Sequence, residues 1–131
     1  MPEFAKKLYK ERPQEIALRF EDRTMNWSDI DLTLNRVANG LNELNLGAHR
    51  RIAVFAENAL ETAMANLGGL IAGASVVPVN FHLNAEEVAY ILEDSGSSVL
   101  FVGPETVDRG MKAAKLAGVQ TIVGWNIEEK Y

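Results

Sequence analysis

The chain has 131 residues, 47% hydrophobic and 24% charged, a balance that supports one folded domain or part of a larger one and excludes a disordered chain. Thirteen Lys plus Arg stand against 18 Asp plus Glu, a net charge of −5, which argues against nucleic acid as a partner because a phosphate backbone requires a positive footprint. Cysteine is absent, so disulfides and thiolate chemistry are excluded.

The amino terminus, Met-Pro-Glu-Phe-Ala-Lys-Lys, is charged and has no apolar core, so it does not read as a secretory signal. Residues 3–12 predict a leading helix that ends before Pro13. Its basic cluster of Lys6, Lys7, Lys10 and Arg12 is interleaved with Phe4 and Leu8, which is either a solvated amphipathic face or a surface that meets lipid. Residues 17–20 and 24–27 are short β-like runs separated by Glu21-Asp22-Arg23, which predicts a hairpin.

From residue 28 the punctuation becomes regular. Ser28, Asn58 and Asn84 each precede a helical pattern, and each has an acid three residues on, Asp31, Glu61 and Glu87, as a capping box requires. Gly47, Gly73, Gly96 and Gly118 are the matching stops, where glycine can take the left-handed conformation that ends a helix. Between each stop and the next start lies an apolar, β-branched run, over 51–56, 76–79, 99–102 and 121–123. Ile52-Ala53-Val54-Phe55 and Val99-Leu100-Phe101-Val102 are continuous rather than alternating, which predicts parallel strands covered on both faces. The helix over 29–46 carries Ile30, Leu34, Val37, Ala38, Leu41 and Leu44 on one stripe. The helix over 59–72 is apolar nearly all round and is expected to lie buried, with Gly68-Gly69 letting it approach the sheet closely. The longest apolar stretch, 67–79, is broken by glycines and Pro78 and is too short to span a bilayer, so a cytoplasmic protein is expected. The fold expectation is an α/β unit: an open, mostly parallel sheet with helices on both faces, joined by right-handed crossovers. A helix and short hairpin (1–27) precede four helix–strand units (28–131).

Chemistry is sparse. His49 and His82 have no metal-ligand spacing around them, and His49 beside Arg50-Arg51 reads as a solvated loop residue. No Ser-His-Asp order suggests itself, since Ser28 and Ser75 have cap or turn explanations. Glu86-Glu87 reads as a pair favoured by a helix dipole. Neither Gly-x-Gly-x-x-Gly nor a glycine-rich loop ending in Lys-Ser/Thr is present. Ser95-Gly96-Ser97-Ser98 lies at a helix C-terminus, the wrong polarity for an anion site. No catalytic set and no metal site is expected within this chain.

Residues 67–102 carry Ala72-Gly73-Ala74, then Val77-Pro78-Val79-Asn80, then the Asn84-capped Glu86-Glu87 helix, then Asp94-Ser95-Gly96 and a strand. This run resembles the N-terminal region of adenylate-forming acyl-CoA synthetases, a superfamily that also holds luciferases and the adenylation domains of peptide synthetases. Thr24-Met25-Asn26-Trp27-Ser28-Asp29-Ile30 is similar to the family's Thr-Tyr-x-Glu-Leu signature, with Trp and Asp in place of Tyr and Glu. Residues 34–46, Arg51-Ile52-Ala53-Val54 and Glu57-Asn58 match the helix, strand and capped helix that follow it, so the resemblance covers roughly 12–125.

The resemblance implies a single N-terminal subdomain (1–131) of an enzyme that activates a carboxylic or fatty acid with ATP and Mg and passes it to CoA. The remainder of that parent enzyme would be the main partner, with self-association possible through the exposed domain interface. The family's Ser/Thr/Gly-rich loop with Pro-Lys, its Tyr-Gly-x-Thr-Glu and its Thr-Gly-Asp are all missing here, so the chain alone is expected to be inactive and to bind no cofactor tightly. In CoA-using members the loop after the Val-Pro strand lies near the CoA nucleotide, which implies a cofactor-facing role for Asn80, Phe81 and His82. Phe81 would stack on adenine and His82 would approach a phosphate, although the family often has Pro-Arg at those two positions. Two other readings stay open: a free-standing, non-catalytic α/β interaction module, and the N-terminal part of a peptide-synthetase adenylation domain. The stretch 79–84 resembles the CoA-ligase form more than the Ile/Leu-Asp form usual in adenylation domains.

Overall fold

A computed structural model describes residues 2–128. The chain opens with α1 (Pro2–Glu11) and an antiparallel hairpin of β1 (Ile16–Phe20) and β2 (Arg23–Asn26). Four helix–strand units follow: α2 (Trp27–Glu43) with β3 (Arg51–Phe55), α3 (Leu60–Ile71) with β4 (Ser75–Val79), α4 (Ala85–Ser95) with β5 (Val99–Val102), and α5 (Val107–Ala117) with β6 (Thr121–Gly124). The last four strands form one wholly parallel sheet in the order β4-β3-β5-β6.

The two continuous apolar runs are the two interior strands. β3 is buried over its last four residues and β5 over all four, as strands sandwiched between helical layers require. One face of the sheet (Ala53, Phe55, Leu100, Val102) packs on Val88, Ala89 and Leu92 of α4 and on Ala113 and Ala114 of α5. The other face (Ile52, Val54, Val99, Phe101) packs on Ala38 and Leu41 of α2 and Ala65 of α3. A third cluster ties α1 and the hairpin to the outside of α2 and α3 through Ala5, Ile30, Leu34 and Met64. Pro78 sits on the edge strand β4, where a missing N–H costs no ladder bond.

Gly68 and Gly69 are close-approach positions, on two different sides. A Cβ at Gly68 would lie 2.4 Å from Val37 of α2, and one at Gly69 would lie 2.4 Å from Ile52 and 2.8 Å from Val76 of the sheet. Leu70, by contrast, is half-exposed, so α3 is buried on two faces rather than all round.

The helix ends differ in part from the sequence reading. Asn84 and Glu87 form the expected reciprocal box. Helix α2 instead starts at Trp27, and its box is Asn26 with Asp29, two residues before the expected Ser28 and Asp31. The free N–H groups of Trp27 and Ser28 donate to the carbonyls of Glu15 and Pro13, so docking the chain before the hairpin pulls the helix start forward. Asn58 does not cap α3: Ala59 holds the cap position without a side-chain bond. The acid that would complete that box, Glu61, is drawn away by Arg23 at 2.6 and 3.1 Å. Gly73, Gly96 and Gly118 stand at helix ends with φ of 73°, 64° and 73°. Gly47 is also left-handed but sits in a later turn, because α2 already ends at Glu43. Among the described residues, no helix is long and apolar enough to cross a membrane.

Candidate functional site

In an open sheet whose strand order reverses, the natural place for a ligand is the crevice beyond the carboxyl ends of the strands at the reversal. Here β3 has β4 on one side and β5 on the other, so the reversal lies between β3 and β5. Its rim is made by the segments 56–59, 80–83 and 103–106, each following a strand.

Thr106 closes the floor of that rim. It is fully buried, and its hydroxyl donates to the Phe55 carbonyl at 2.5 Å while accepting from the Gly103 N–H at 3.2 Å. One side chain thereby joins the end of β3 to the end of β5. A Cβ at Gly103 would stand 2.7 Å from the Glu105 carboxylate and 3.3 Å from Ala56, so the ends of β3 and β5 converge closely there.

Asn80, Phe81 and His82, the three residues singled out from the sequence, form one tight turn beside this floor. The Asn80 side-chain oxygen accepts from the His82 N–H at 3.0 Å, and its carbonyl accepts from the Leu83 N–H at 3.1 Å, the bonding of an Asx-stabilised turn. Phe81 is half-buried and packs against the core cluster containing Val79, Val88 and Val102. Its ring lies 4.1 Å, centroid to centroid, from the exposed His82 ring, tilted by 38°. Of the two rings, His82 is therefore the one presented to solvent, with Phe81 backing it.

Arg109 of α5 was not singled out from the sequence. Its guanidinium donates to the carbonyls of Phe81 at 2.7 Å and Leu83 at 2.5 Å, and lies 5.1 Å over the buried Phe55 ring. Glu86 and Glu87 do not act as a pair: Glu87 completes the α4 cap, while Glu86 meets Lys112 at 2.7 Å, which holds the Glu86 carboxyl below its ordinary range. His49 is exposed in the turn before β3. Arg50 and Arg51 beside it reach the Ala72 and Ser95 carbonyls at the C-terminal ends of α3 and α4, at the amino end of the strands, opposite the carboxyl rim.

A second concavity, about 310 Å³, lies along β6 on the α2–α3 face. Met25, Val37, Leu60, Met64, Phe101 and Trp125 give it an apolar wall, and the Arg23–Glu61 pair stands at its border. The bidentate bond from Arg23, with its positive charge, holds the Glu61 carboxyl below the ordinary carboxylate range. Among the described residues, no three His, Asp or Glu side chains converge as metal ligands.

These features define an open, doubly wound α/β unit with its candidate ligand surface at the carboxyl rim of the sheet. The profile of the AMP-binding enzyme family matches residues 5–128, and the chain belongs to that family. Among curated relatives, tyrocidine synthase 3 of Brevibacillus parabrevis is 34% identical over 88 residues, which is 67% of this chain and 1% of that protein. The long-chain-fatty-acid–CoA ligase FadD13 of Mycobacterium tuberculosis is 35% identical over 82 residues, 63% of this chain and 16% of that protein. The inhibitor-bound crystal structure of the N-terminal domain of FACL13 from Mycobacterium tuberculosis superposes with a TM-score of 0.82 at 26% identity, covering 95% of this chain and 33% of that one. A benzoate CoA ligase from Burkholderia xenovorans LB400 shares the fold, with a TM-score of 0.86 at 21% identity over 95% of this chain and 25% of the other. The chain thus spans only a small part of these relatives, a third or less of each.

Proposed function

We propose that residues 1–131 are the N-terminal α/β subdomain of a cytoplasmic adenylate-forming ligase that joins a carboxylic acid, such as a fatty acid, to coenzyme A. In that reaction the carboxylate attacks the α-phosphate of ATP with Mg, pyrophosphate leaves, and the coenzyme thiol then takes the acyl group and releases AMP. This chain contributes scaffold and one contact surface, the turn of Asn80, Phe81 and His82, which would face the nucleotide end of the coenzyme. The observation that supports the reading is the exposed His82 ring, backed by the half-buried Phe81 on the sheet's carboxyl rim, so that His82, rather than Phe81 as the resemblance implied, is the ring offered for stacking on a base.

The identity to tyrocidine synthase 3 favours a second reading, the N-terminal part of a peptide-synthetase adenylation domain, which keeps the fold and changes the thiol acceptor. An NMR titration of the labelled chain separates the two. The coenzyme reading expects millimolar coenzyme A to shift the Phe81 and His82 resonances while pantetheine, which lacks the nucleotide, does not. Equal silence of both ligands would favour the second reading. In either case an ATP–pyrophosphate exchange assay of this chain with a panel of carboxylates is expected to stay at background, and turnover would overthrow the scaffold role.

A further inference from the structure

We propose that Arg109 is the positioning residue of the 80–83 turn, holding it in the form that presents His82; this rests on the reading in which that turn faces coenzyme A. The turn satisfies its own amides, with His82 and Leu83 donating to Asn80, but it leaves the carbonyls of Phe81 and Leu83 to be met from outside. Arg109 meets both with one nitrogen, at 2.7 and 2.5 Å, and its other terminal nitrogen is 3.5 Å from the Glu105 carbonyl in the next rim segment. Its guanidinium carbon lies 5.1 Å over the ring of Phe55 at the end of β3. A planar guanidinium can address carbonyls at its edge and an aromatic ring with its face at once, which a lysine ammonium cannot. Arg109 therefore touches all three rim segments or the strand ends that carry them.

A second feature separates this residue from an ordinary surface arginine. Arg109 is a half-buried cation, held by carbonyls and a ring, beneath the turn that would meet an anionic nucleotide. Such a charge favours an anion above the turn as well as holding the turn's shape.

The test compares Arg109→Met and Arg109→Lys with the unaltered chain by amide hydrogen exchange and by coenzyme A titration. In Arg109→Met the amides of His82, Leu83 and Asn84 are expected to exchange about tenfold faster, the scale of one lost charge-assisted hydrogen bond, while Ala53 and Leu100 in the interior strands change much less. Arg109→Lys, which keeps the charge, is expected to recover part of the protection and part of the coenzyme-induced shift at His82. Equal acceleration in the turn and in the interior strands would show a general stability role and overturn the proposal. So would turn-specific acceleration with the coenzyme shifts unchanged. Turn-specific acceleration in a chain whose unaltered form shows no coenzyme shift would keep Arg109 as organiser of the turn and overturn the coenzyme reading instead.

Discussion

The Arg23–Glu61 pair joins the hairpin to the first turn of α3 across 38 residues of sequence, and its effect on stability has a definite sign with pH. Glu61 titrates below its ordinary value in the folded chain, so the pair stabilises the fold above the ordinary carboxylate pKa of 4.5 and loses that effect as pH falls through the lowered folded value. Glu61→Gln should therefore lower Tm at pH 7, and the deficit should shrink both on acidification through that range and in high salt, since Arg23 is half-exposed to solvent. A deficit that is constant with pH would mean that the carboxylate's charge is not what matters. At this scale legibility falls with distance along the chain, and even a local box was misplaced where tertiary bonds moved the helix start, as at Asn26–Asp29. The Asn84–Glu87 box was readable because its partners are three residues apart, whereas Arg109 reaches carbonyls 26 and 28 residues away and Thr106 bonds a carbonyl 51 away. Nothing local marks such residues. The candidate turn was found through its resemblance to a family, and its internal bonding was not foreseen.

Among the elements, α3 shows how a helix can be placed by what its residues lack. Gly68 lies against the β-branched Val37 of α2, with a Cβ contact of 2.7 Å to Val37 Cβ as well as 2.4 Å to its Cγ1, and neither atom can swing away freely. Gly40 is also helical, yet nothing lies within 4 Å of its would-be Cβ. The same substitution should therefore act in opposite directions. Gly68→Ala is expected to cost about 1–3 kcal/mol through overpacking, and Gly40→Ala to add about 0.5–1 kcal/mol through helix propensity. Urea midpoints at constant slope would check both, and a stabilising Gly68→Ala would refute the close α2–α3 contact. Element type was readable throughout, because apolar continuity marks interior strands and period marks helices. Boundaries were less so. The start of α2 moved to Trp27 because carbonyls of the preceding loop satisfy its first N–H groups, and that loop's docking is a tertiary event.

For the whole molecule, the strand order carries the main constraint. β3 is the first strand of the parallel sheet in the chain but an interior one in space, with Ala53 beside Val77 on one edge and Leu100 on the other. A chain ending at Gly96 would keep β4 and lose β5, leaving β3 with one unpaired edge and Phe55 without its Val102 neighbour. Such a truncation is expected to lose cooperative urea unfolding, and a sharp transition with a proportionate slope would count against this picture. The same geometry has a meaning for synthesis. A growing chain leaves the ribosome amino end first, so this largely apolar interior strand is exposed well before its second neighbour has been translated. During that interval the nascent protein carries a bare, sticky ribbon at what will become the centre of its sheet, and chaperone binding is most needed there.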